Sequence, residues 1–406
     1  MAKDNVVVGL DVGTTKVATC VGLAQEGLIR VIGFSRVPNI GMRKGVIVDI
    51  EDTVSAISGA LEEAERMAGT QISRAIVGIG GNHITSTTSK GVVAVSRADG
   101  EITPSDVERV VEAAKTVALP PNREIIHVIP KSFTVDGQAN IADPVGMSGI
   151  RLEAEAIVVG GSTSAINNLT KCVHQAGVEI DDLVFAPLAS SKILLSKKQK
   201  ELGALLLDIG GGVTSMAVFE EGDLLYCSVV PVGSMHITND IAIGLRTSLE
   251  IAEKIKVKYG SAIPKKISEA ERINLSAFDP ADTQKVERRY VAEIIHARLM
   301  EILSLVREEL RKIGKDGMLP AGTIFTGGGS KMEDLLELAK EELRLPAQIG
   351  SATIEIEGLV DKLYDGVYST SVGLFVYGLE NSSAPRRFES GGMVDKARNF
   401  FKQFLP

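Results

Sequence analysis

Short apolar runs alternate with glycine turns and amphipathic segments along this chain, a pattern typical of an α/β protein. Strand-like runs at Val6–Leu10, Lys16–Gly22 and Leu28–Val37 predict a three-stranded meander near the start. Apolar residues at helical spacing follow in Asp52–Ala68, and Ala75–Ile79 is again strand-like and ends in two glycines. The pattern therefore predicts a sheet covered by a helix.

The pattern changes between residues 84 and 162. Serine and threonine residues after Thr85 indicate exposed β-structure, a helix is predicted to begin at Thr103 or Ser105, and a buried strand returns at Ala156–Val159. We interpret 84–162 as an inserted α/β subdomain.

Helices are predicted beyond this insert at Ser164–Gln175 and Pro187–Leu195. The polar run Ser196–Lys200 is interpreted as a hinge that leads into a second half. A second insert is predicted from about His236 to Pro320, and it contains two long helical patterns, Asn239–Tyr259 and Asp282–Lys312.

An Asp-x-Gly motif at the end of an apolar run occurs twice, about half the chain length apart. One copy alone is more often a simple β-hairpin, whereas two copies at this spacing indicate two related halves. A strand end delivers a carboxylate, and a glycine lets backbone N–H groups approach a phosphate. Two facing turns would hold a polyphosphate, with each aspartate contacting Mg²⁺ through water. The predicted residues are Asp11, Gly13, Thr14, Thr15, Asp208, Gly210, Gly211 and Gly212.

The neighbouring Lys16 is predicted to point to solvent, because Thr14 and Thr15 occupy the phosphate turn.

A third glycine loop follows a short strand at residue 326. Gly327, Gly328 and Gly329 would let the backbone lie against a flat base or a ribose. Ser330 is predicted to be the N-cap of the following helix, with Glu333 at the capping-box spacing. The sequence thus predicts a strand, a glycine turn and a helix that together contact a nucleoside.

Composition narrows the function classes. A net charge of −8 gives no general attraction to nucleic acid. Three separated cysteines in apolar surroundings argue against a disulfide framework and suit a reducing compartment. The five histidines show no i, i+4 pairing and are interpreted as structural. We also expect no signal peptide and no membrane span.

The order of the three glycine motifs resembles the phosphate-1, phosphate-2 and adenosine motifs of the actin, heat-shock chaperone and sugar kinase superfamily. Within it, the chain is most similar to the FtsA family of actin-like bacterial cell-division proteins. The narrower likeness rests on Ala186–Ser191, Ala252–Gly260, Tyr368–Leu374 and the tail from Met393.

This resemblance implies an actin-like two-lobed α/β fold with duplicated nucleotide-binding halves and an inserted 1C-type subdomain. The predicted divisions are subdomain 1A at 1–83 and 163–195, 1C at 84–162, 2A at 196–236 and 321–380, and 2B at 237–320.

The resemblance also implies ATP and Mg²⁺ as ligands, with Glu250, Glu253 and Lys254 directed to ribose and adenine. A self-paired, solvated charged face is an equal alternative for each of the three. In the hydrolytic relatives, a Gln or Glu at the position matching Ala186 orients the attacking water. Phe185–Ser191 contains no Glu, Gln, Asp or His, so at most slow ATP hydrolysis is expected.

By resemblance, the protein polymerises on the cytoplasmic side of the membrane at the division site and tethers FtsZ filaments. Arg288, Arg289 and Arg298 would receive the acidic FtsZ tail, although solvated or internally paired arginines are an equal alternative. The insert would recruit later division proteins. The other functions considered are a phosphotransferase (kinase) of the same superfamily and an MreB-like or pilus-assembly filament protein.

The C-terminal segment predicts a membrane anchor. Residues 381–392 are polar and small and read as a flexible linker, and 393–406 form an amphipathic pattern with aromatic residues on one face. A helix that docks on the protein body and an aggregation-prone end are the alternatives; the composition favours a helix lying on an anionic membrane surface. The predicted membrane-facing residues are Met393, Ala397, Phe400, Phe401, Phe404 and Leu405.

Overall fold

The computed structural model describes residues 6–25, 28–116, 120–280, 282–358 and 365–382. Its strands are β1 Val7–Val12, β2 Lys16–Gln25, β3 Leu28–Pro38, β4 Met42–Arg43, β5 Val46–Ile47, β6 Arg74–Ile79, β7 Thr85–Ala94, β8 Arg123–Val135, β9 Gln138–Ile141, β10 Arg151–Ser162, β11 Glu179–Phe185, β12 Ala204–Ile209, β13 Thr214–Glu220, β14 Asp223–Val230, β15 Arg272–Asn274, β16 Lys285–Glu287, β17 Gly322–Thr326, β18 Ala347–Ile349 and β19 Ile356–Gly358. Its α-helices are α1 Ile50–Ala68, α2 Pro104–Ala114, α3 Thr163–Gln175, α4 Ala186–Leu194, α5 Lys197–Leu202, α6 Ser234–Leu245, α7 Leu249–Tyr259, α8 Arg288–Lys312, α9 Leu335–Leu343 and α10 Ser369–Ser382.

Two sheets of matching topology form the centres of the two lobes. The first has the order β11-β6-β1-β2-β3-β19 and the second β14-β13-β12-β17-β18. In each sheet an antiparallel meander continues into parallel strands, so that Asp11 lies opposite Gly78 and Asp208 opposite Thr326. The two related halves that the repeated motif predicts are therefore present, in a mixed α/β fold.

The segment predicted as an insert contains a sheet of its own, β7-β10-β8-β9, covered by α2. Thr103 caps α2 in a reciprocal capping box with Asp106, which explains why the helix begins there. A separate small core, which includes Val110, Phe133 and Leu152, lies between this helix and the sheet. This segment thus has a hydrophobic core of its own.

The insert also contacts both lobes. Its His127 accepts a hydrogen bond from the backbone N–H of Phe185 at 3.0 Å, directly before α4. Its Ser86 hydroxyl donates to the carbonyl of Cys227 in β14 of the second lobe at 2.5 Å. The insert therefore lies across the junction of the two lobes.

Two helical predictions for the second lobe need correction. The single pattern over 239–259 is broken between α6 and α7, because Arg246 adopts a left-handed conformation (φ 54°) and Ser248 caps α7. The helix predicted from Asp282 begins only at Arg288, since Lys285–Glu287 pairs with β15. Backbone capping and strand pairing override the apolar period at both points.

The predicted hinge at Ser196–Lys200 is also wrong in its local structure. Ser196 caps the short helix α5 by exchanging hydrogen bonds with Gln199. The connection between the lobes is therefore a capped helical turn.

Helices α4 and α10 cross at the contact between the lobes, and Gly373 makes the close approach possible. A Cβ at Gly373 would lie 2.2 Å from the carbonyl oxygen of Ala189 in α4. Helix α10 runs to Ser382 and so includes the first two residues of the predicted linker. The remainder of that linker and the predicted anchor at 393–406 lie outside the described residues. No helix within the described ranges has the length and apolarity needed to cross a membrane.

We expect Gly373→Ala to destabilise the protein by about 1–3 kcal/mol, because the added methyl group meets backbone atoms of α4 that cannot move aside. The matched control is Gly59→Ala in α1, where a Cβ would be 3.8 Å from its nearest neighbour, Val37. The control should stabilise helix α1 by roughly 0.5–1 kcal/mol. Chemical denaturation of both variants provides the measurement, and equal shifts would contradict the close crossing.

Candidate functional site

A cavity of about 780 Å³ lies between the two lobes at the ends of β1 and β12. Its volume is in the range of sites that enclose a cofactor-sized molecule. It brings together the predicted residues of all three glycine motifs except Ser330, and both predicted acidic residues of α7: Asp11, Gly13, Thr14, Thr15, Asp208, Gly210, Gly211, Gly212, Glu250, Glu253, Gly327, Gly328 and Gly329.

The two Asp-x-Gly turns contact each other at the base of the cavity. A Cβ at Gly211 would lie 2.4 Å from Cγ2 of Thr15, and one at Gly212 would lie 2.7 Å from Oγ1 of Thr14. Glycine at 211 and 212 lets Thr15 and Thr14 lie this close, which explains two of the three glycines of the second turn. The first turn is held further by Thr14 Oγ1, which accepts from the N–H of Gly45 at 3.1 Å.

The two aspartates differ in their electrostatic surroundings. Asp11 receives a hydrogen bond from Lys16 Nζ at 2.6 Å. The pKa of Asp208 is raised to about 6, chiefly because the carboxyl is enclosed by the cleft and secondly because Asp11 is close; Lys16 opposes the shift. The prediction that Lys16 points to solvent is therefore wrong, since Lys16 lines the cavity. Only the pairing of β1 with β2 brings it to Asp11.

The donor groups suit a magnesium ion that keeps most of its water. No group of three or more His, Cys, Asp or Glu side chains that could hold a metal ion is found in the described part of the chain. Asp11 and Asp208 place two carboxylates at opposed strand ends, and carboxylate oxygens are ligands of the kind that Mg²⁺ binds. That incomplete protein coordination is typical of Mg²⁺ in phosphate-binding sites.

The third glycine loop lies beside Asp208. Gly327 has φ 83°, and a Cβ there would meet Oδ1 of Asp208 at 2.2 Å, whereas Gly328 faces open space in the cavity. Ser330 is not a helix cap: its hydroxyl donates to the carbonyl of Gly327 at 2.7 Å. Helix α9 begins only at Leu335. Ser330 thus stabilises the loop from behind and does not line the cavity.

The first lobe carries a counterpart of this loop that the sequence analysis missed. Because Gly78 matches Thr326 in register, Gly80 and Gly81 after β6 correspond to the glycines after β17. Both also line the cavity. Their equivalence follows from the duplicated topology, and the glycine pair after a buried strand was the available signal.

Helix α7 presents a different lysine from the predicted one. Lys254 does not line the cavity, and it donates to Glu250 at 2.6 Å on the helix surface. Lys256, which is only 8 % exposed, lines the cavity and donates to Glu253 at 2.6 Å and to Thr238 at 2.8 Å. In the sequence, the i, i+3 spacing of Lys256 from Glu253 could have indicated that the two side chains lie on one face of the helix.

Each of the three predicted partner-binding arginines is paired within the protein. Arg288 donates to Glu271 and Glu333, Arg289 to Glu269, and Arg298 forms a two-pronged pair with Asp240 at 2.7 and 2.9 Å. The alternative of internal pairing therefore describes these side chains in the isolated chain. A partner carboxylate would have to replace one of these pairs.

Helix α4 brings Ala186 to the wall of the cavity. No side chain between Phe185 and Ser191 can accept a proton from water at neutral pH. The nearby His127 is buried behind Phe185, and burial lowers its pKa to about 4. The start of α4 therefore offers no general base.

Comparison with known proteins identifies the family. The model described as cell division protein FtsA matches residues 205–373, and the model of the SHS2 domain inserted in FtsA matches residues 81–160. The chain is 42% identical over 378 residues to the cell division protein FtsA of Pseudomonas aeruginosa, covering 93% of this chain and 90% of that protein. The chain belongs to the FtsA family. The FtsA protein of Bacillus subtilis is 41% identical to this FtsA-family chain, covering 94% of it and 85% of the relative.

Solved structures of low identity share the fold. The PilM–PilN type IV pilus biogenesis complex gives a TM-score of 0.67 at 16% identity, covering 92% of this chain and 98% of that chain. MreB5 of Spiroplasma citri bound to ADP gives 0.53 at 13% identity, covering 94% and 99%. These likenesses establish an actin-like fold. The much higher identity to FtsA proteins makes this FtsA-family chain a cell-division protein.

The raised pKa of Asp208 predicts that Asp208→Asn stabilises the nucleotide-free protein. A carboxyl whose folded pKa lies above its unfolded value of 3.8 contributes stability at low pH and loses it as pH rises through about 6. We expect a gain on the order of 1–3 kcal/mol at pH 7.5 that shrinks towards pH 4. Thermal denaturation across pH measures it. The exposed Asp52→Asn is the control and should show no such pH-dependent gain.

Proposed function

We propose that this protein binds ATP with Mg²⁺ between its lobes and acts as a nucleotide-dependent tether of the division machinery. The observation that carries the proposal is the direct contact of two Asp-x-Gly turns at the base of a cavity of about 780 Å³. Backbone N–H groups from two opposed glycine turns would supply a phosphate site.

Different residues of the cleft would bind different parts of the nucleotide. The turns at Gly13 and Gly210 would bind the phosphates, and Asp11 with Asp208 would hold Mg²⁺ through water. Mg²⁺ would supply positive charge that offsets the negative charge of the phosphates. The open backbone at Gly328 suits a flat base, while Glu253 and the buried Lys256 present paired polar groups of α7 for a ribose.

Turnover is expected to be slow. Positioning of a water by a general base contributes roughly 10²–10⁴-fold to rate, and Ala186 at the start of α4 provides none. This absence favours binding over catalysis and argues against the alternative phosphotransferase function. The nucleotide would then set the relative position of the lobes over the lifetime of an assembly.

Gly328→Asp should weaken ATP binding by about tenfold or more, because a carboxylate would project into the cavity that receives an anionic ligand. Gly328→Ala is the matched control, since a Cβ there has open space, and it should retain most of the affinity. Binding of a fluorescent ATP analogue in millimolar Mg²⁺ measures both variants. Equal affinity of the two would contradict a nucleotide at this loop, and rapid steady-state phosphate release by the wild type would contradict the slow turnover.

The second part of the proposal is a peripheral position on the cytoplasmic side of the membrane at the division site. The amphipathic pattern over 393–406 supports this part, with Lys396, Arg398 and Lys402 available to anionic lipid. A single short amphipathic helix binds weakly, so stable attachment calls for self-assembly into filaments that present many copies. Membership of the FtsA family supports the same arrangement.

The third part is binding of the acidic FtsZ tail at α8, with the insert recruiting later division proteins. Arg289 is the arginine best placed for exchange, because its partners Glu269 and Glu293 are themselves largely exposed. Exposed ion pairs contribute only about 0–1 kcal/mol, so an acidic peptide can replace them at little cost. Arg298 is held by two bonds to Asp240, and reversing its charge would test stability as well as binding.

Tethering requires both membrane binding and binding of the FtsZ tail, so one sedimentation assay can test it. Anionic vesicles are mixed with the protein and a labelled peptide of the FtsZ tail. Wild type should carry the peptide into the pellet, and a chain lacking 393–406 should leave both components in the supernatant. Arg289→Glu should pellet without the peptide, whereas Arg311→Glu, at the far end of α8, should behave as wild type.

Two results would contradict this arrangement. If the shortened chain still pellets with vesicles, the anchor lies elsewhere. If Arg289→Glu carries the peptide as wild type does, this arginine is not part of the tail site.

A further inference from the structure

The duplicated turns differ at one charged position. Gly13 N–H donates to the carbonyl of Lys16 at 2.9 Å, and Gly210 N–H donates to the carbonyl of Val213 at 3.0 Å. The two turns are therefore closed in the same way, with Lys16 in one and Val213 in the other. Since valine closes the second turn equally well, the lysine of the first turn is not required by the backbone.

The side chain of Lys16 is directed to the cleft carboxylate by strand geometry. Asp11 lies opposite Ala18 in the β1–β2 pair, and Lys16 is two residues from Ala18 and thus on the same face. Its Nζ is 2.6 Å from Oδ2 of Asp11, and the two side chains are only 17% and 14% exposed. This is an ion pair inside the site, where solvent screens it much less than at the surface.

We propose that Lys16 is a built-in cation of the cleft, which neutralises Asp11 in the nucleotide-free protein and transfers to phosphate oxygens when nucleotide binds. This inference rests on the proposed nucleotide site. Lys16 and Mg²⁺ compete for Asp11 in the empty cleft and act together on the phosphates in the filled one. The consequence is that nucleotide binding depends less on Mg²⁺ than it would with two uncompensated carboxylates.

The charges of Asp11 and Asp208 explain what the lysine contributes to the cleft. Without Lys16, Asp11 and Asp208 would present two negative charges to an anionic ligand. With Lys16, the charge of Asp11 is compensated in the empty cleft, and Asp11 becomes available to the metal when Lys16 moves to the phosphates. The asymmetry between Lys16 and Val213 thus gives the two turns different tasks, although their backbones match.

The test uses Lys16→Val, which copies the residue found at the equivalent position of the second turn. ATP affinity is measured for wild type and variant in millimolar Mg²⁺ and in excess EDTA. The variant lacks a charge-assisted hydrogen bond to phosphate in both conditions. In the Mg²⁺ condition, the ion also gains full access to Asp11, which partly replaces that bond. We expect the ratio of the EDTA and Mg²⁺ dissociation constants to rise by about tenfold in the variant. A ratio equal to that of wild type overturns the inference.

A second measurement needs no nucleotide. Mg²⁺ alone should raise the melting temperature of Lys16→Val more than that of wild type, because the ion replaces the missing ammonium at Asp11. The double variant Asp11→Asn, Lys16→Val should lose this difference. Equal responses of wild type and Lys16→Val overturn the inference. Lys16→Met, which keeps the aliphatic stem, replaces the valine variant if that variant does not fold.

The failure of the inference is distinguishable from failure of the proposed function. If wild type binds no ATP in Mg²⁺, the nucleotide site is wrong and the inference falls with it. If wild type binds ATP and the Mg²⁺ dependence is unchanged in Lys16→Val, the site stands and the role of Lys16 is refuted.

Discussion

The contact between the two Asp-x-Gly turns is the constraint on which the rest of the structure depends. Thr14 and Thr15 lie against Gly212 and Gly211 so closely that no Cβ fits between them. Helices α4 and α10 also cross closely at the contact between the lobes, where a Cβ at Gly373 would lie 2.2 Å from the carbonyl oxygen of Ala189. The cavity, its two carboxylates and its glycine loops all follow from that approach.

This arrangement is unfavourable for the empty protein. Enclosing Asp208 beside Asp11 raises its pKa to about 6, so at neutral pH the cleft holds a carboxylate that is less stable than one in water. Strain of this kind at a cleft is typical of a site arranged for a ligand. Lys16 relieves it in part through Asp11, and a divalent ion with phosphate would relieve the rest.

The insert is connected to this centre through backbone groups. His127 accepts from Phe185 next to the cavity, and Ser86 donates to Cys227 in the other lobe. The insert thus makes one such hydrogen bond to each lobe and lies across their junction.

The sequence by itself determined the two related halves, the three glycine motifs and the carboxylates Asp11 and Asp208, because strand periodicity and glycine turns are local properties of the chain. Only the tertiary structure decided which groups from other segments lie close to these motifs. Lys16 reaches Asp11 through strand pairing, and Gly80 joins the cavity through sheet order. Lys256, rather than Lys254, faces the cleft because of the way α7 packs on α6. Residue type and spacing fix which groups are available, but pairing between distant segments fixes which of them meet.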